Sequence, residues 1–388
     1  MTRPPSYRAP DEHYVDEATL NEATLPSDHF VEEEVSTRRL VWRKFRRHRL
    51  GLISGIFIVT LYLMLPFMNF IAPYGAAERL DDFIYAPPTP IHFFHEGEFI
   101  GPFVYAMEGA PDLETLSWVY EVDRSEPYPI EFFCTGSETY FLAMIPTTFR
   151  VFCSSDEWAP IMLLGADRLG RDVFSRILYG AQISLTVGLI GITISFVIGI
   201  VLGGLAGYFG GIVDSIVQRM IEVLRSLPEL PLWLALSAAI PSNWHPLTVF
   251  FGISIILGLL DWPGLARSVR SKFLALREED FVQAAELVGA KPRRIIRVHM
   301  LPNFMSHLIA SAALSIPTMI LGETALSFLG LGLRPPVVSW GVMLNDAQNL
   351  AAIEIYPWIS TPILPIILVV LAFNFLGDGL RDSLDPYS

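Results

Sequence analysis

The sequence predicts an all-α polytopic membrane protein with six transmembrane helices and an extracytoplasmic, β-leaning insert between the first two. Three observations carry this. Hydrophobic residues make up 52% of the 388 and charged residues only 17%, with mean hydropathy +0.44, which is too apolar for a soluble chain. Apolar runs of about 20 residues recur, each long enough to cross a bilayer as a helix. The net charge of −13 is partitioned: residues 1–36 carry nine acids and two bases, 37–49 seven bases and no acid, and 72–160 fifteen acids and three bases. That partition speaks to topology. Nothing in it suggests a nucleic-acid surface.

Residues 1–36 are rich in Pro, Ser, Thr and acids, without the apolar core of a signal peptide, and read as a disordered cytoplasmic tail. Residues 37–72 are a basic flank and the first transmembrane helix. Arg38–Arg49 (RRLVWRKFRRHR) is a juxtamembrane anchor, because the apolar run Leu50–Ala72 follows at once. As a helix that run is about 35 Å long. Bases before it and few after it place the N-terminus inside.

Residues 73–164 hold no span. Ile130–Cys134 and Thr148–Cys153 alternate weakly and are candidate strands. The only two cysteines, Cys134 and Cys153, lie here, and either form a disulfide or stand as two buried thiols.

Residues 165–388 form the predicted five-helix core. GADRLGRDVFSRILYG opens it, and its mixed charges suggest that the arginines pair with Asp167 and Asp172. Ile183–Gly207 is the second span; Ser195, Gly199, Gly203, Gly207 and Gly211 recur every four residues, a stripe for close helix packing. The third span lies in 212–240. Glu222 and Arg225, three apart, share a face and can pair, and Pro228 and Pro231 should kink the helix. Leu247–Leu265 is the fourth span, with Asp261 near its inner end. Phe304–Leu326 is the fifth, with Glu323 its most isolated acid, a candidate for the pathway or for a local structural partner. Ile359–Phe375 is the sixth, broken by Pro362 and Pro365, and Trp340, Tyr356 and Trp358 suit an interface belt.

Between the fourth and fifth spans lies Phe281–Asn303 (FVQAAELVGAKPRRIIRVHMLPN), which reads helix, turn, helix. Asp280 is a candidate N-cap, Gly289 can take the left-handed turn, Pro292 fits a first helical turn, and Pro302 ends the second helix. Eight bases between Arg267 and Arg297 give this stretch a cytoplasmic face.

This stretch resembles the EAA loop of bacterial ABC-importer permeases through Ala284, Ala285, Gly289, Ile295, His299, Leu301, Pro302 and Asn303; Gln283 stands where the pattern has Glu. The segment Asp167, Gly170, Arg171, Asp172, Arg176 resembles the outer G-T-D-x-x-G-R-D motif of the dipeptide, oligopeptide and nickel permeases, with Ala166 for Thr. Ala325–Asn345 (ALSFLGLGLRPPVVSWGVMLN) resembles a second signature of the same group. The resemblance implies the type I ABC-importer permease fold and a function in binding-protein-dependent import of peptides or a similar small solute. It implies one half of a pathway, coupled through 280–303 to ATPase subunits. The implied partners are a homologous second permease, two ATPases, an extracytoplasmic solute-binding protein and membrane lipid, in a bacterial inner membrane with both termini cytoplasmic.

No Gly-x-x-x-x-Gly-Lys-Ser/Thr, no His/Cys metal set and no nucleophile elbow occurs. The chain is therefore expected to carry no catalytic residue, metal or cofactor, with ATP and Mg bound by partners. The alternative is an ion-coupled transporter using Glu222, Asp261 and Glu323 as coupling carboxylates.

Overall fold

The computed structural model describes residues 37–112, 117–141, 145–241 and 243–384, so the acidic tail 1–36 lies outside the described residues. Among these, five helical stretches are long and apolar enough to cross a membrane: Arg49–Ile71, Val173–Phe209, Pro246–Arg277, Pro292–Phe328 and Pro357–Leu384.

The basic flank is helix α1 (Thr37–Arg47). Phe45 is its buried anchor, while Trp42 is exposed. The first span is α2 (Arg49–Met64), a tight turn, and α3 (Met68–Ile71). The insert is a four-stranded antiparallel meander of β1 (His92–His95), β2 (Glu98–Pro111), β3 (Trp118–Phe141) and β4 (Ile145–Ser154). The two stretches singled out as strands pair with each other, Ile130 opposite Ser154 and Cys134 opposite Arg150. Cys134 and Cys153 are joined as a disulfide across this hairpin, with Cα atoms 6.2 Å apart.

The bundle centres on α4 (Val173–Phe209) against a long α7 (Pro246–Arg277), joined by α10 (Leu301–Phe328) and α13 (Ile363–Leu384). The small-residue stripe explains the α4–α7 contact. A Cβ on Gly203 would run into the carbonyl oxygen and Cα of Ala266, and one on Gly207 would lie 2.6 Å from Phe273 Cβ and 2.8 Å from the Arg270 oxygen. These backbones touch because nothing stands between them. Gly211 falls outside α4 and meets nothing.

Three expectations are corrected. The third span is not one rod: α5 (Gly211–Arg225) and α6 (Glu229–Ala238) break at Ser226–Pro228, because proline cannot continue the backbone ladder. At about 1.5 Å per residue, α6 alone is too short to cross. Pro302 does not end its helix. A π-helical turn, Ile295–Met300, carries the chain straight into α10: Leu301 N–H donates to Ile296 O, five residues back, and this wider turn accommodates Pro302 directly after it. Likewise Pro365 lies in the first turn of α13 and does not break it; α13 runs on to Leu384.

Trp340 and Tyr356, expected at a lipid interface, are instead buried in protein. Trp340 opens the short helix α11 (Trp340–Asp346) and packs in the bundle core with Ala181, Leu185 and Ile320, while Tyr356, just after α12 (Leu350–Ile355), packs with Ala347, Ala352 and Ile359 and with Tyr85 of the insert. Tyr85 stacks on Tyr356 at 4.2 Å between ring centres.

Candidate functional site

The helix α7, about 48 Å long at 1.5 Å per residue, separates two constructed ends. At its C-terminal end is a helical hairpin: α8 (Asp280–Leu287), a turn, and α9 (Pro292–Arg294) running into the π turn. The N-cap is Glu279, not Asp280, which opens the helix. Gly289 has φ +78°, the left-handed region that side chains resist. Its N–H donates to Glu286 O at 2.9 Å, and Ala290 N–H donates to Ala285 O at 3.0 Å, a Schellman closure. Pro292 opens the second helix as expected.

One side of this hairpin is core. Val282, Ala285, Ile295 and Met300 bury against Val269, Phe273 and Leu276 of α7 and Phe304 and Leu308 of α10. The other side is bare: Leu287 is 89% exposed and Val288 84%, beside exposed Lys291, Arg293 and Arg294. The signature positions thus divide by role. Ala285 and Ile295 are buried attachments, and Leu301 is half-buried; Gln283, Ala284, Gly289 and Pro302 face out. The Gln283 amide donates to Glu278 O at 3.1 Å, and the backbone oxygen of half-buried His299 accepts from Asn303 at 2.7 Å.

At the other end, Asp167, Arg171, Arg176 and Asp346 form a buried ion cluster. Arg171 bonds Asp167 at 2.7 Å and Asp346 at 2.9 Å; Arg176 bonds Asp167, and Asp346 at 3.2 Å. Arg168, more exposed, reaches Asp346 at 3.3 Å. Burial pushes the Asp167 carboxyl up, but the Arg176 and Arg171 guanidiniums overcome it and hold it below the usual carboxylate range. Gly170 (φ +66°) packs against the backbone of Leu80, joining the cluster to the insert. Asp172 is not an arginine partner. It caps α4, accepting from Ser175 N at 2.7 Å and Phe174 N at 3.3 Å, and burial pushes its carboxyl up to about 7. The arginines find Asp346 instead, which the sequence reading missed because it lies 175 residues beyond Arg171.

The proposed coupling carboxylates are dispersed and locally satisfied. Glu222 is exposed and pairs with Arg219 at 2.9 Å, not with Arg225. Arg225 lies against Gly264 of α7, within electrostatic reach of Asp261. Asp261 accepts from Ser195 at 3.0 Å across the α4–α7 contact. Glu323 is fully buried and accepts from Ser327 at 2.8 Å, Ser339 at 2.7 Å and Ser184 at 3.0 Å. Arg150 was also missed. Fully buried, it donates to Asn69 O at 2.6 Å, Ala72 O at 2.9 Å, Tyr179 at 3.1 Å and Ser137, fastening the sheet to the first span and to α4.

A helical bundle with an ordered hairpin at one end and a pinned polar closure at the other is the architecture of a membrane transport subunit. The family profile described as the inner membrane component of binding-protein-dependent transport systems matches residues 199–387, and one for the N-terminal transmembrane domain of oligopeptide transport permease C matches 36–88. The dipeptide transport system permease protein of Bacillus subtilis is 44% identical over 235 residues, 60% of this chain and 69% of that protein. The oligopeptide transport system permease protein of Haemophilus influenzae is 38% identical over 256 residues, 63% of this chain and 80% of that protein. A chain of the inward-facing MetNI methionine ABC transporter, 19% identical, aligns over 53% of this chain and 95% of its own length with TM-score 0.41. The chain belongs to the family of binding-protein-dependent transport permeases.

Proposed function

We propose that this chain is one permease of an ATP-driven importer of peptides, and that the hairpin 280–303 is where partner ATPases act on it. One observation carries the second part. The hairpin is rooted in the α7–α10 core, yet it holds Leu287 and Val288 out in the open at its tip. Two adjacent aliphatic side chains left bare on a rigid, well-packed element suit a pocket on another protein. A second permease completes the pathway, two ATPases bind ATP and Mg, and a solute-binding protein delivers the peptide. The chain lies in a bacterial inner membrane with both termini cytoplasmic, the hairpin inside and the insert outside. ATPase closure and opening rock the bundle between two states.

Leu287→Asp with Val288→Asp tests this in the assembled complex. Both positions are exposed, so insertion and folding should be unchanged, while ATPase co-purification and peptide-stimulated ATP turnover should be lost. Retention of both activities would end the docking assignment. Uptake that survives ATP depletion but collapses with an ionophore would end the importer reading itself.

A further inference from the structure

We infer that Glu323 is a positioning residue whose carboxylate latches segment 329–346 onto the ends of α4 and α10 as a closure of the bundle. This goes beyond the importer assignment and does not rest on it.

The segment sits at the end opposite the hairpin. Trp340 donates its indole N–H to Ile177 O of α4 at 3.1 Å, Leu331 O accepts from Ser237 of α6 at 2.5 Å, and Leu333 and Val342 pack with Trp233, Phe250 and Ile253. It therefore bridges α4, α6, α7 and α10. Gly341 lies so close to Ser327 and Thr324 that a Cβ there would stand 2.8 Å from each, so the segment and α10 approach backbone to backbone.

Glu323 is the hub of this contact. Its three serine partners come from three places: Ser184 from α4, Ser327 from α10, and Ser339 from the segment itself. Each hydroxyl also accepts a backbone N–H. Ser184 takes that of Trp340 at 3.2 Å, Ser327 that of Leu333 at 3.0 Å, and Ser339 that of Val342 at 3.2 Å. All three of those N–H groups belong to the segment. The polarity of the network is thereby fixed: segment N–H to serine oxygen, serine O–H to carboxylate. A group that only accepts completes it, and a carboxylate does so with two oxygens. A glutamine at 323 presents one oxygen and an NH2. If the oxygen keeps Ser327 and Ser339, the NH2 faces Ser184, whose own proton is left without its acceptor. The tie from α4 to Trp340 is then the one that loosens.

The test uses the full chain in detergent, with Val338→Cys as reporter and a polar maleimide. Val338 is 6% exposed and packs with Val173 and Met343. Cys at buried Val282, in the distant hairpin, reports general loosening. Glu323→Gln should raise labelling at 338 by about tenfold or more, the scale of one lost charge-assisted hydrogen bond, with 282 unchanged. Ser184→Ala, which removes that tie outright, should give a comparable rise, and adding it to Glu323→Gln should change little, because both act on the same tie. Unchanged labelling at 338, an equal rise at 282, or a double variant equal to the product of the two singles overturns the inference. Should Glu323→Gln fail to accumulate, Ser184→Ala and Ser339→Ala decide alone: a rise confined to 338 supports the latch, and no rise overturns it.

Discussion

Replacing Asp346 by asparagine should cost this protein far more than its size suggests. Side-chain exposures in the cluster are 10% for Asp346, 7% for Asp167, 7% for Arg171 and 2% for Arg176. Two guanidiniums thus share two carboxylates almost out of reach of water. Asp346→Asn leaves both cations on Asp167 alone, and an uncompensated buried charge costs about 3–5 kcal/mol. Arg168 also contacts Asp346, but its side chain is 54% exposed, so Arg168→Gln should cost no more than about 1 kcal/mol. The measurement is reversible denaturation of the purified chain in mixed micelles, following tryptophan fluorescence. Adding Arg171→Gln to Asp346→Asn removes the surplus cation and should return part of the loss. If Asp346→Asn and Arg168→Gln shift stability equally, the cluster is solvated and the reasoning fails.

Gly203→Val should push α4 from α7 and cost about 1–3 kcal/mol in the same assay, the usual range for overpacking; Gly252→Ala in α7, whose added methyl meets only the flexible side chain of Ile240, should not match it. Cys134→Ser removes a crosslink of sequence separation 19, worth about 3 kcal/mol in the chain-entropy treatment, and should speed proteolysis of the insert while the spans stay protected. Asp172 should give a pH signature. Its folded pKa, about 7, exceeds the unfolded value of about 3.9, so its contribution is full below the latter and lost as pH rises toward 7; Asp172→Asn keeps a good cap and should flatten that slope. Asp167 runs the other way, its contribution present above about pH 4 and lost as acid protonates it.

The features legible in the sequence were those fixed by nearby residues. Gly289 and Pro292 announce their turn and helix start because the backbone alone demands them, and the stripe at 195–207 announces a close contact because small residues at that spacing have one effective use in lipid. The strands 130–134 and 148–153 followed from alternation. What escaped was set by distance along the chain. Asp346 is the cluster's second acid, but nothing local marks it as the partner of Arg171 and Arg176 rather than Asp172. Glu323 was marked as costly, but its donors are scattered from Ser184 to Ser339. Helix ends failed for a subtler reason: Pro365 reads as a break yet lies in the first turn of α13, which starts later than the apolar run, and Pro302 reads as a stop yet follows a π turn through which the helix continues.

The same local satisfaction bears on how the protein can be driven. An ion-coupled carrier needs carboxylates that exchange partners along one path. Here Glu222 is committed to an exposed arginine, Asp261 to a serine between α4 and α7, and Glu323 to three hydroxyls under the closing segment. They lie on three different contacts: Glu222 pairs within α5, while Asp261 and Glu323 join separate elements. Elements held by buried polar points and backbone-close helices move as bodies, since partial displacement leaves buried groups unpaired. Under the proposed docking, force applied at the hairpin would meet α7 directly through Val269, Phe273 and Leu276, and α7 lies along α4 for much of its length. On that proposal, a lever rooted in the α4–α7 contact, with the inferred latch at its far end, favours mechanical over ionic drive.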